Sequence, residues 1–182
     1  MKTKTKAIHC AYQGKDAYGA LAMPVYHTAA YEFDNAEIMS DAFCSRVPLP
    51  DYSRVTNPTV IYFEKKVKEL TGAEKVYALT SGMAAICNSL LSLCESGSNI
   101  LSSNHLFGNT WLLMSKTFAR YGIETRFCNL CDLEAVKAAI DDKTACVYAE
   151  IISNPLQEVV DLKALADAAH TRGKLLLADT TM

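Results

Sequence analysis

The chain has 182 residues, of which 50% are hydrophobic and 21% are charged, and its formal net charge is −2. This length and composition predict an ordinary globular protein with a substantial core. The nearly neutral charge does not favour nucleic acid or an anionic membrane as a partner, and no apolar run approaches the roughly 18 residues of a membrane-spanning helix.

The first residues, "MKTKTKAIHCAYQGKDAYG", contain basic side chains but no apolar core of a secretion signal. The seven cysteines are Cys10, Cys44, Cys87, Cys94, Cys128, Cys131 and Cys146. Their odd number and apolar surroundings favour reduced, buried thiols in a cytoplasmic protein. Cys128 and Cys131 have the spacing of a redox pair or of half a zinc site, but nothing completes a metal site. We interpret them as inert thiols, with a redox pair at a helix N-terminus as the alternative.

The N-terminal third is predicted to be an arm. Residues 1–57 show little periodicity, which predicts an ordered segment with little regular structure that packs against something else, such as another subunit. The next segment, "NPTVIYFEKKVKELTG", predicts a helix with Asn57 as its N-cap, Pro58 at its first position and Gly72 at its end. We therefore separate the arm from a second part that comprises residues 58–182.

From residue 75 onward, strands and helices are predicted to alternate. The strands are "KVYAL", "NILSS", "IETRFC", "TACVYAE" and "KLLLAD", and the helices are "TSGMAAICNSLLSLCESG", "NTWLLMSKTFARYG", "DLEAVKAAID" and "DLKALADAAHTRG". The strands are apolar throughout, as expected when helices cover both faces of a sheet. This pattern predicts an α/β fold with a doubly wound, mostly parallel sheet.

Ligands of such a sheet bind beyond the carboxyl ends of its strands. The residues predicted to lie there are Thr80–Met83, Asn104–Asn109, Glu150–Pro155 and Asp179–Thr181. In the first of these segments the chain turns through Gly82 directly into a helix, whose free N–H groups attract an anion such as phosphate. An ordinary tight turn is the alternative, because the chain has no G-x-G-x-x-G motif and no P-loop lysine.

Several other side chains are candidates on chemical grounds. Arg54 can hold a phosphate with two hydrogen bonds, and Tyr52 can add a hydroxyl; a surface salt bridge is the alternative for Arg54. The ring of Phe107 can stack on a planar ligand or pack in the core, and His105 has the same ambiguity. The carboxylate of Asp179 needs a cation or donors, which a protonated heterocyclic nitrogen would supply.

Five segments follow one another in a specific order: "YSRVTNPT", "SGMAAI", "LFGNTW", "ISNP…VVDLKALADAAHTRG" and "LLADTTM". Together they resemble, over nearly the whole chain, the Cys/Met-metabolism (transsulfuration) enzymes, which depend on pyridoxal 5′-phosphate (PLP). The resemblance implies the aspartate-aminotransferase-like fold. It also implies that residues 1–57 form an inter-subunit arm, that residues 58–182 begin the PLP-binding large domain, and that the C-terminal domain is absent.

The resemblance places the cofactor's phosphate among residues of two subunits. Gly82 and Met83 would donate backbone N–H groups to it. Tyr52 and Arg54 would reach the phosphate of a neighbouring subunit's cofactor. The protein would therefore be an obligate homo-oligomer, a dimer of dimers, with active sites shared between subunits.

The resemblance also assigns the residues around the cofactor's ring. Phe107 would stack on the pyridine ring, and Asp179 would bind the ring nitrogen and keep it protonated, so that the ring can accept electrons. We regard these two as the catalytic candidates of the chain. Glu150, Asn154 and Thr181 would line the site on the same side.

Two positions depart from the commonest family pattern, since Phe107 stands where Tyr is frequent and Thr180 where Asn is frequent. The segments "FGN" and "DTTM" are most similar to the O-acetylhomoserine sulfhydrylase branch. The implied reaction is γ-replacement on this amino acid with sulfide or a thiol, in methionine biosynthesis. Methionine γ-lyase or cystathionine synthase/lyase-type γ-elimination is the alternative, although Asn109 stands where methionine γ-lyases usually have Cys.

The family's Schiff-base lysine lies downstream of the Asp179 motif and has no counterpart in this chain. Lys174 is at the wrong end of its predicted strand and Lys116 is inside a predicted helix. We expect the chain alone to be inactive, because this lysine both anchors the cofactor and moves protons. The chain is then the cofactor-binding half of a longer enzyme or a truncated, non-catalytic paralogue. An unrelated nucleotide- or flavin-binding domain is a further hypothesis, which the missing phosphate-loop signatures disfavour.

Overall fold

The computed structural model describes residues 2–9, 12, 14, 16 and 18–182. The chain divides into two compact units, Met1–Ala78 and Leu79–Met182, and each is described by itself. The helix that follows Asn57 therefore belongs to the first unit, together with the arm. Cys10, one of the seven cysteines, lies outside the described residues.

The first unit contains three helices: α1 (Thr3–His9), α2 (Ala36–Phe43) and α3 (Pro58–Thr71). Two of them lie within residues 1–57, so this segment has more regular structure than its sequence predicted. The start of α2 is fixed locally, because the Asn35 side chain accepts a hydrogen bond from the Ile38 N–H at 2.9 Å. An eight-residue helix with one N-cap carries too few apolar positions to stand out in a polar sequence.

Helix α3 confirms its sequence prediction at both ends. Asn57 Oδ1 accepts the N–H groups of Thr59 at 2.9 Å and Val60 at 3.4 Å, and Pro58 occupies the first helical position. At the other end Gly72 adopts a left-handed conformation with φ of 75°, and its N–H donates to the Lys68 carbonyl. A residue with a Cβ is strained at this φ, which explains why glycine ends the helix.

The prediction of a first strand, "KVYAL" at residues 75–79, is wrong. No strand is formed there, and no described segment pairs with it. Its Ala78 N–H instead donates to the Glu64 side chain at 2.8 Å. A β-strand forms only when an adjacent strand shares backbone hydrogen bonds with it. A strand-like sequence does not show whether such a strand is available.

The second unit alternates helices and strands, which are α4 (Gly82–Leu93), β1 (Asn99–Ser102), α5 (Gly108–Leu112), β2 (Glu124–Phe127), α6 (Leu133–Ala139), β3 (Thr144–Glu150), α7 (Leu162–His170) and β4 (Leu175–Asp179). The four strands form one sheet in the order β2-β1-β3-β4, and every pairing is parallel. The α/β fold with a doubly wound parallel sheet is thereby confirmed.

Helices cover both faces of the sheet, and successive strand residues alternate between two cores. Leu101 and Val147 pack with residues of α6 and α7 in one core, which contains Leu130, Val136, Ile140, Ala149, Leu165, Ala168 and Ala169. Ile100 and Tyr148 face the other core, which contains Leu90, Leu106, Met114, Phe118, Ile123 and Cys146. Each fully buried aliphatic side chain of this kind stabilises the fold by about 1.5–3 kcal/mol.

Two further elements differ from their predictions. The helix predicted over 109–122 is α5, followed by a π turn at Leu113–Thr117 and a 3₁₀ turn at Phe118–Tyr121. Apolar periodicity cannot separate these forms, because their turns differ by about one residue or less. The last strand, predicted to be covered on both faces, is only partly buried, and Leu175 is 53% exposed.

A polar network joins three strands at the amino ends of the sheet. Asp141 Oδ1 accepts hydrogen bonds from Asn99 Nδ2 at 2.9 Å and Thr144 Oγ1 at 3.1 Å. Its Oδ2 accepts from the Arg126 guanidinium at 2.5 Å. Asn99 and Thr144 are each 1% exposed and also contact each other, so the carboxylate completes a buried polar network.

This network predicts a specific loss of stability in acid. The Asn99 amide and the Arg126 guanidinium hold the pKa of Asp141 below its ordinary value of 3.8. Because the folded-state pKa is the lower one, the contribution is complete above about pH 5 and is lost as the pH falls through 3.8 toward the folded value. Asp141→Asn should therefore lower stability at pH 6 and flatten its decline between pH 5 and 3.

Urea denaturation over this pH range measures the effect. Asp167→Asn is the matched control, since Asp167 pairs with Lys163 on an exposed helix surface, where an ion pair contributes little. An Asp141→Asn protein whose stability falls in acid as steeply as the wild type would contradict the assignment.

Candidate functional site

The carboxyl ends of β3 and β4 bring two acidic side chains together. In the parallel register Glu150 lies opposite Asp179, the last residue of each strand. The Ile151 N–H donates to the Asp179 carbonyl at 2.9 Å and extends this pairing by one bond. Both carboxylates therefore lie at the carboxyl ends of the strands, where ligands bind in parallel sheets, as the sequence predicted.

A cavity of about 230 Å³ opens at the carboxyl ends of the strands. It is lined by Gly82, Met83, Ile86, Phe107, Thr110, Glu150, Ile152, Asn154, Asp179, Thr181 and Met182. Seven of these residues are those of this unit to which the family resemblance assigned roles, and they come from four separate segments. The structure therefore gathers these seven residues around one space.

The N-terminus of α4 forms one wall of the cavity. Ser81 is the N-cap, and its hydroxyl accepts the Ala84 N–H at 3.1 Å. Helix geometry leaves the N–H groups of Gly82 and Met83 without acceptors in the helix, and the helix dipole adds positive potential there. A Cβ built on Gly82 would meet no atom within 4 Å, so this wall faces open space. The arrangement can accept an anion.

The opposite wall carries Asp179, which is half-buried and already holds three donors. Tyr148 donates its hydroxyl to Oδ2 at 3.0 Å. Thr181 donates its N–H at 2.9 Å and its hydroxyl at 2.6 Å to Oδ1. The carboxylate is thus partnered by neutral donors, one of the two kinds of partner expected for it, and no protein cation contacts it among the described residues. A cationic N–H in the cavity would add the charge that these donors lack.

Glu150 holds the loops that flank the cavity. Its Oε1 accepts the Phe107 N–H at 2.9 Å, and the side chain is 8% exposed. Burial raises the pKa of Glu150, and the nearby Asp179 charge adds to this, while the N–H groups of Phe107 and Asn154 oppose it. Glu150 therefore fixes the start of α5 in place, in addition to lining the cavity.

Phe107 and His105 have different environments. The Phe107 side chain borders the cavity and its residue is 45% exposed, which leaves a ring face free for a planar ligand. Packing in the core, the alternative considered for it, does not occur. His105 Nδ1 instead lies within hydrogen-bonding distance of Glu158 Oε2, at 2.6 Å, outside this cavity.

Tyr52 and Arg54 belong to the first unit, where a tight turn holds them. The Val55 and Thr56 N–H groups both donate to the Tyr52 carbonyl at 2.8 Å, and the Ser53 N–H donates to Ala29 at 2.9 Å. The Arg54 guanidinium lies 5.1 Å from the centroid of the Tyr52 ring. The two side chains predicted to act together are therefore neighbours.

No role was predicted for Tyr148 or Thr110. Tyr148 is 1% exposed and contacts Asp179, and Thr110 is fully buried on the α5 side of the cavity. One signal existed for Tyr148, because it lies two residues before Glu150 on the same strand and so faces the same side of the sheet. Only the register with β4 shows that its hydroxyl reaches Asp179.

Lys174 and Lys116 lie where the sequence placed them. Lys174 precedes β4, at the end opposite Asp179, and its Nζ donates to the Asp142 carbonyl at 2.9 Å. Lys116 lies in the π turn after α5 and is exposed. Neither residue lines the cavity.

The six described cysteines are free, but Cys44 and Cys131 are exposed, which corrects the expectation that all are buried. Burial and the charge of Asp132 raise the pKa of Cys128, which disfavours the reactive thiolate and supports the interpretation as an inert thiol. Within the described ranges, no group of three His, Cys, Asp or Glu side chains could hold a metal ion. Nor is any described helix long and apolar enough to cross a membrane.

A sequence profile for the Cys/Met metabolism PLP-dependent enzymes matches residues 4–182. Among curated relatives, the O-succinylhomoserine sulfhydrylase of Pseudomonas aeruginosa is 43% identical over 155 residues, which are 85% of this chain and 38% of that protein. The L-methionine gamma-lyase of Fusobacterium nucleatum is 37% identical over 97% of this chain and 45% of its own length. The chain thus spans less than half the length of these relatives.

The fold is similar to that of solved protein structures. A structure described as an O-acetylhomoserine (thiol)-lyase from Campylobacter jejuni superposes with a TM-score of 0.92 and 30% identity, over 100% of this chain and 44% of that one. That structure carries a pyridoxyl-lysine monophosphate.

Proposed function

Because the chain belongs to the Cys/Met metabolism family of PLP-dependent enzymes, we propose that the full-length protein replaces the γ-substituent of O-acetylhomoserine with sulfide or a thiol. The sulfhydrylases of Pseudomonas aeruginosa and Corynebacterium glutamicum, 43% and 34% identical, support this branch. The observation that carries the proposal is a cavity at the strand ends that is lined both by the N-terminus of α4, which can bind an anion, and by Asp179.

The cofactor of the family is PLP, and the cavity fits its chemistry. The N–H groups of Gly82 and Met83 suit a phosphate, and the open space in front of Gly82 admits it. The free ring of Phe107 suits a flat heterocycle. Glu150 and Asp179 place two acidic groups on one side, which favours a protonated ring nitrogen there. When bound, PLP supplies an electron sink.

In this proposal the residues that line the cavity have distinct roles. The α4 N-terminus binds the phosphate, Phe107 stacks on the ring, and Asp179 holds the proton on the ring nitrogen. Glu150 orders the loop of Phe107, and Asn154 and Thr181 close the same side of the cavity. We place the family's Schiff-base lysine in the part of the relatives' length that this chain does not span.

Tyr52 and Arg54 are proposed to complete the phosphate site of a neighbouring subunit, in a dimer of dimers. The tight turn around Tyr52 supports this, because it places the Arg54 guanidinium 5.1 Å from the centroid of the Tyr52 ring. A cytoplasmic location is proposed from the six free thiols, which suit a reducing compartment.

Elimination from methionine is the second candidate, because the methionine gamma-lyase of Fusobacterium nucleatum is 37% identical. The two activities are separated by assaying the full-length protein with PLP on two substrates. We expect homocysteine from O-acetylhomoserine and sulfide at a rate at least about tenfold above release of methanethiol from methionine. The reverse order would assign the protein to the elimination branch. Product from O-succinylhomoserine at an equal rate would show that the acyl group is not selected.

A further inference from the structure

Tyr148 lies beneath the cavity and contacts the residue proposed to bind the cofactor's ring nitrogen. It is 1% exposed and belongs to the core cluster that contains Ile100 and Cys146. At the end of this buried ring the hydroxyl donates to Asp179 Oδ2 at 3.0 Å. Phenylalanine would fill the same core space, so the hydroxyl is the part of Tyr148 that requires an explanation beyond packing.

The hydrogen bond from Tyr148 reaches one carboxylate oxygen of Asp179, Oδ2. On the other side Thr181 donates twice to Oδ1, at 2.9 Å from its N–H and 2.6 Å from its hydroxyl. Donors on both oxygens fix the plane of the carboxylate. Since Thr181 follows the strand and Tyr148 lies within the neighbouring strand, only Tyr148 ties the carboxylate to the interior of the sheet.

The hydroxyl of Tyr148 is a permanent donor. Burial raises its pKa well above the ordinary value, and the charges of Asp179 and Glu150 add to this, while a hydrogen bond with Thr110 opposes it. These are the charged and polar groups that face the hydroxyl from β4, from its own strand and from α5. Tyr148 therefore stays neutral at physiological pH and donates to the Asp179 carboxylate.

We propose that Tyr148 is a positioning residue, which orients the Asp179 carboxylate toward the ring nitrogen of PLP through its hydroxyl. The proposal rests on the function assigned to Asp179 above. It explains why a polar group ends a side chain that otherwise lies in an apolar core. It also explains how a half-buried carboxylate on an edge strand is kept in one orientation.

Tyr148→Phe in the full-length protein tests the proposal, because it removes the hydroxyl and keeps the ring. PLP affinity, measured by fluorescence titration of the apo-protein, should fall about tenfold. The pH midpoint of ring-nitrogen protonation, followed by ¹⁵N NMR of bound ¹⁵N-labelled PLP, should move down by about one unit, because a misaligned carboxylate stabilises the ring-nitrogen proton less well. Tyr121→Phe, at a position that is 65% exposed, is the matched control and should change neither value.

Asp179→Asn, measured in parallel, separates this inference from the proposed function. If Asp179→Asn shifts the midpoint and Tyr148→Phe does not, Tyr148 has only a packing role. If neither variant shifts it, the role of Asp179 also fails. Should Tyr148→Phe not fold, 3-fluorotyrosine at position 148 gives the answer. Its more acidic hydroxyl is a stronger donor, which makes the carboxylate less basic and should lower the midpoint. An unchanged midpoint would overturn the proposal.

Discussion

Replacing Asp179 with alanine in the full-length protein is expected to lower turnover by about a hundred- to a thousandfold. The variant removes the carboxylate that faces the cavity from the end of β4. Without it a protonated ring nitrogen loses its negative partner, and the bound ring becomes a poorer electron acceptor. Loss of one such electrostatic contact typically lowers kcat by about a hundred- to a thousandfold. Steady-state assays of homocysteine formation at saturating PLP measure the effect.

Cofactor affinity should decrease in the same variant, because a charge-assisted hydrogen bond contributes about 1.5–3 kcal/mol. Asp167→Ala is the matched control, since this aspartate pairs only with Lys163 on the exposed surface of α7. It should retain normal turnover and normal PLP affinity. An Asp179→Ala protein that works at the wild-type rate with bound PLP would refute the contact with the ring nitrogen.

Mixing two inactive variants should restore activity if the active site is shared between subunits. Arg54→Ala removes the guanidinium proposed to reach the neighbour's phosphate, and Asp179→Ala removes the carboxylate proposed to act in its own subunit. In a mixed two-fold dimer, one of the two sites receives intact Arg54 from one chain and intact Asp179 from the other. Random reassembly at equal amounts therefore makes about a quarter of all sites complete.

The control for this experiment combines two residues of the same cavity. Asp179→Ala and Phe107→Ala lie in one unit, around one space. Each site of their mixed dimer carries one of the two defects, so mixing should restore nothing. Recovery with Arg54→Ala but not with Phe107→Ala supports the shared site. Equal recovery, or none, in both mixtures shows that Arg54 does not serve a neighbouring subunit.

Local signals in the sequence were enough to locate most helices. The caps Asn57, Ser81, Asp132 and Asp161 each accept backbone N–H groups of the helix that follows, and the cap at Asn57 was predicted. Such caps depend on residues within four positions of one another, so no distant contact is needed to recognise them. Strand β3 was also predicted from end to end, since its apolar run is bounded by polar residues.

The errors concern features that depend on distant neighbours. Residues 75–79 have a strand-like sequence but pair with no described segment, and β4 has a buried-looking sequence but is only partly buried. Strand pairing and the coverage of a strand are decided by which segments lie alongside, often many residues away. The short helices α1 and α2 were missed for the opposite reason, because their local signals are weak.

The sequence by itself determined the fold class, the family resemblance and the cavity-lining candidates of the second unit. It could do so because in a parallel sheet the ends of successive strands converge at one edge, whatever the strand order. Only the tertiary structure decided how those candidates are held. The contact between Tyr148 and Asp179 joins residues 31 positions apart, and that between Glu150 and Phe107 joins residues 43 apart. Such contacts arise from sheet register and loop packing, which no local pattern of residues encodes.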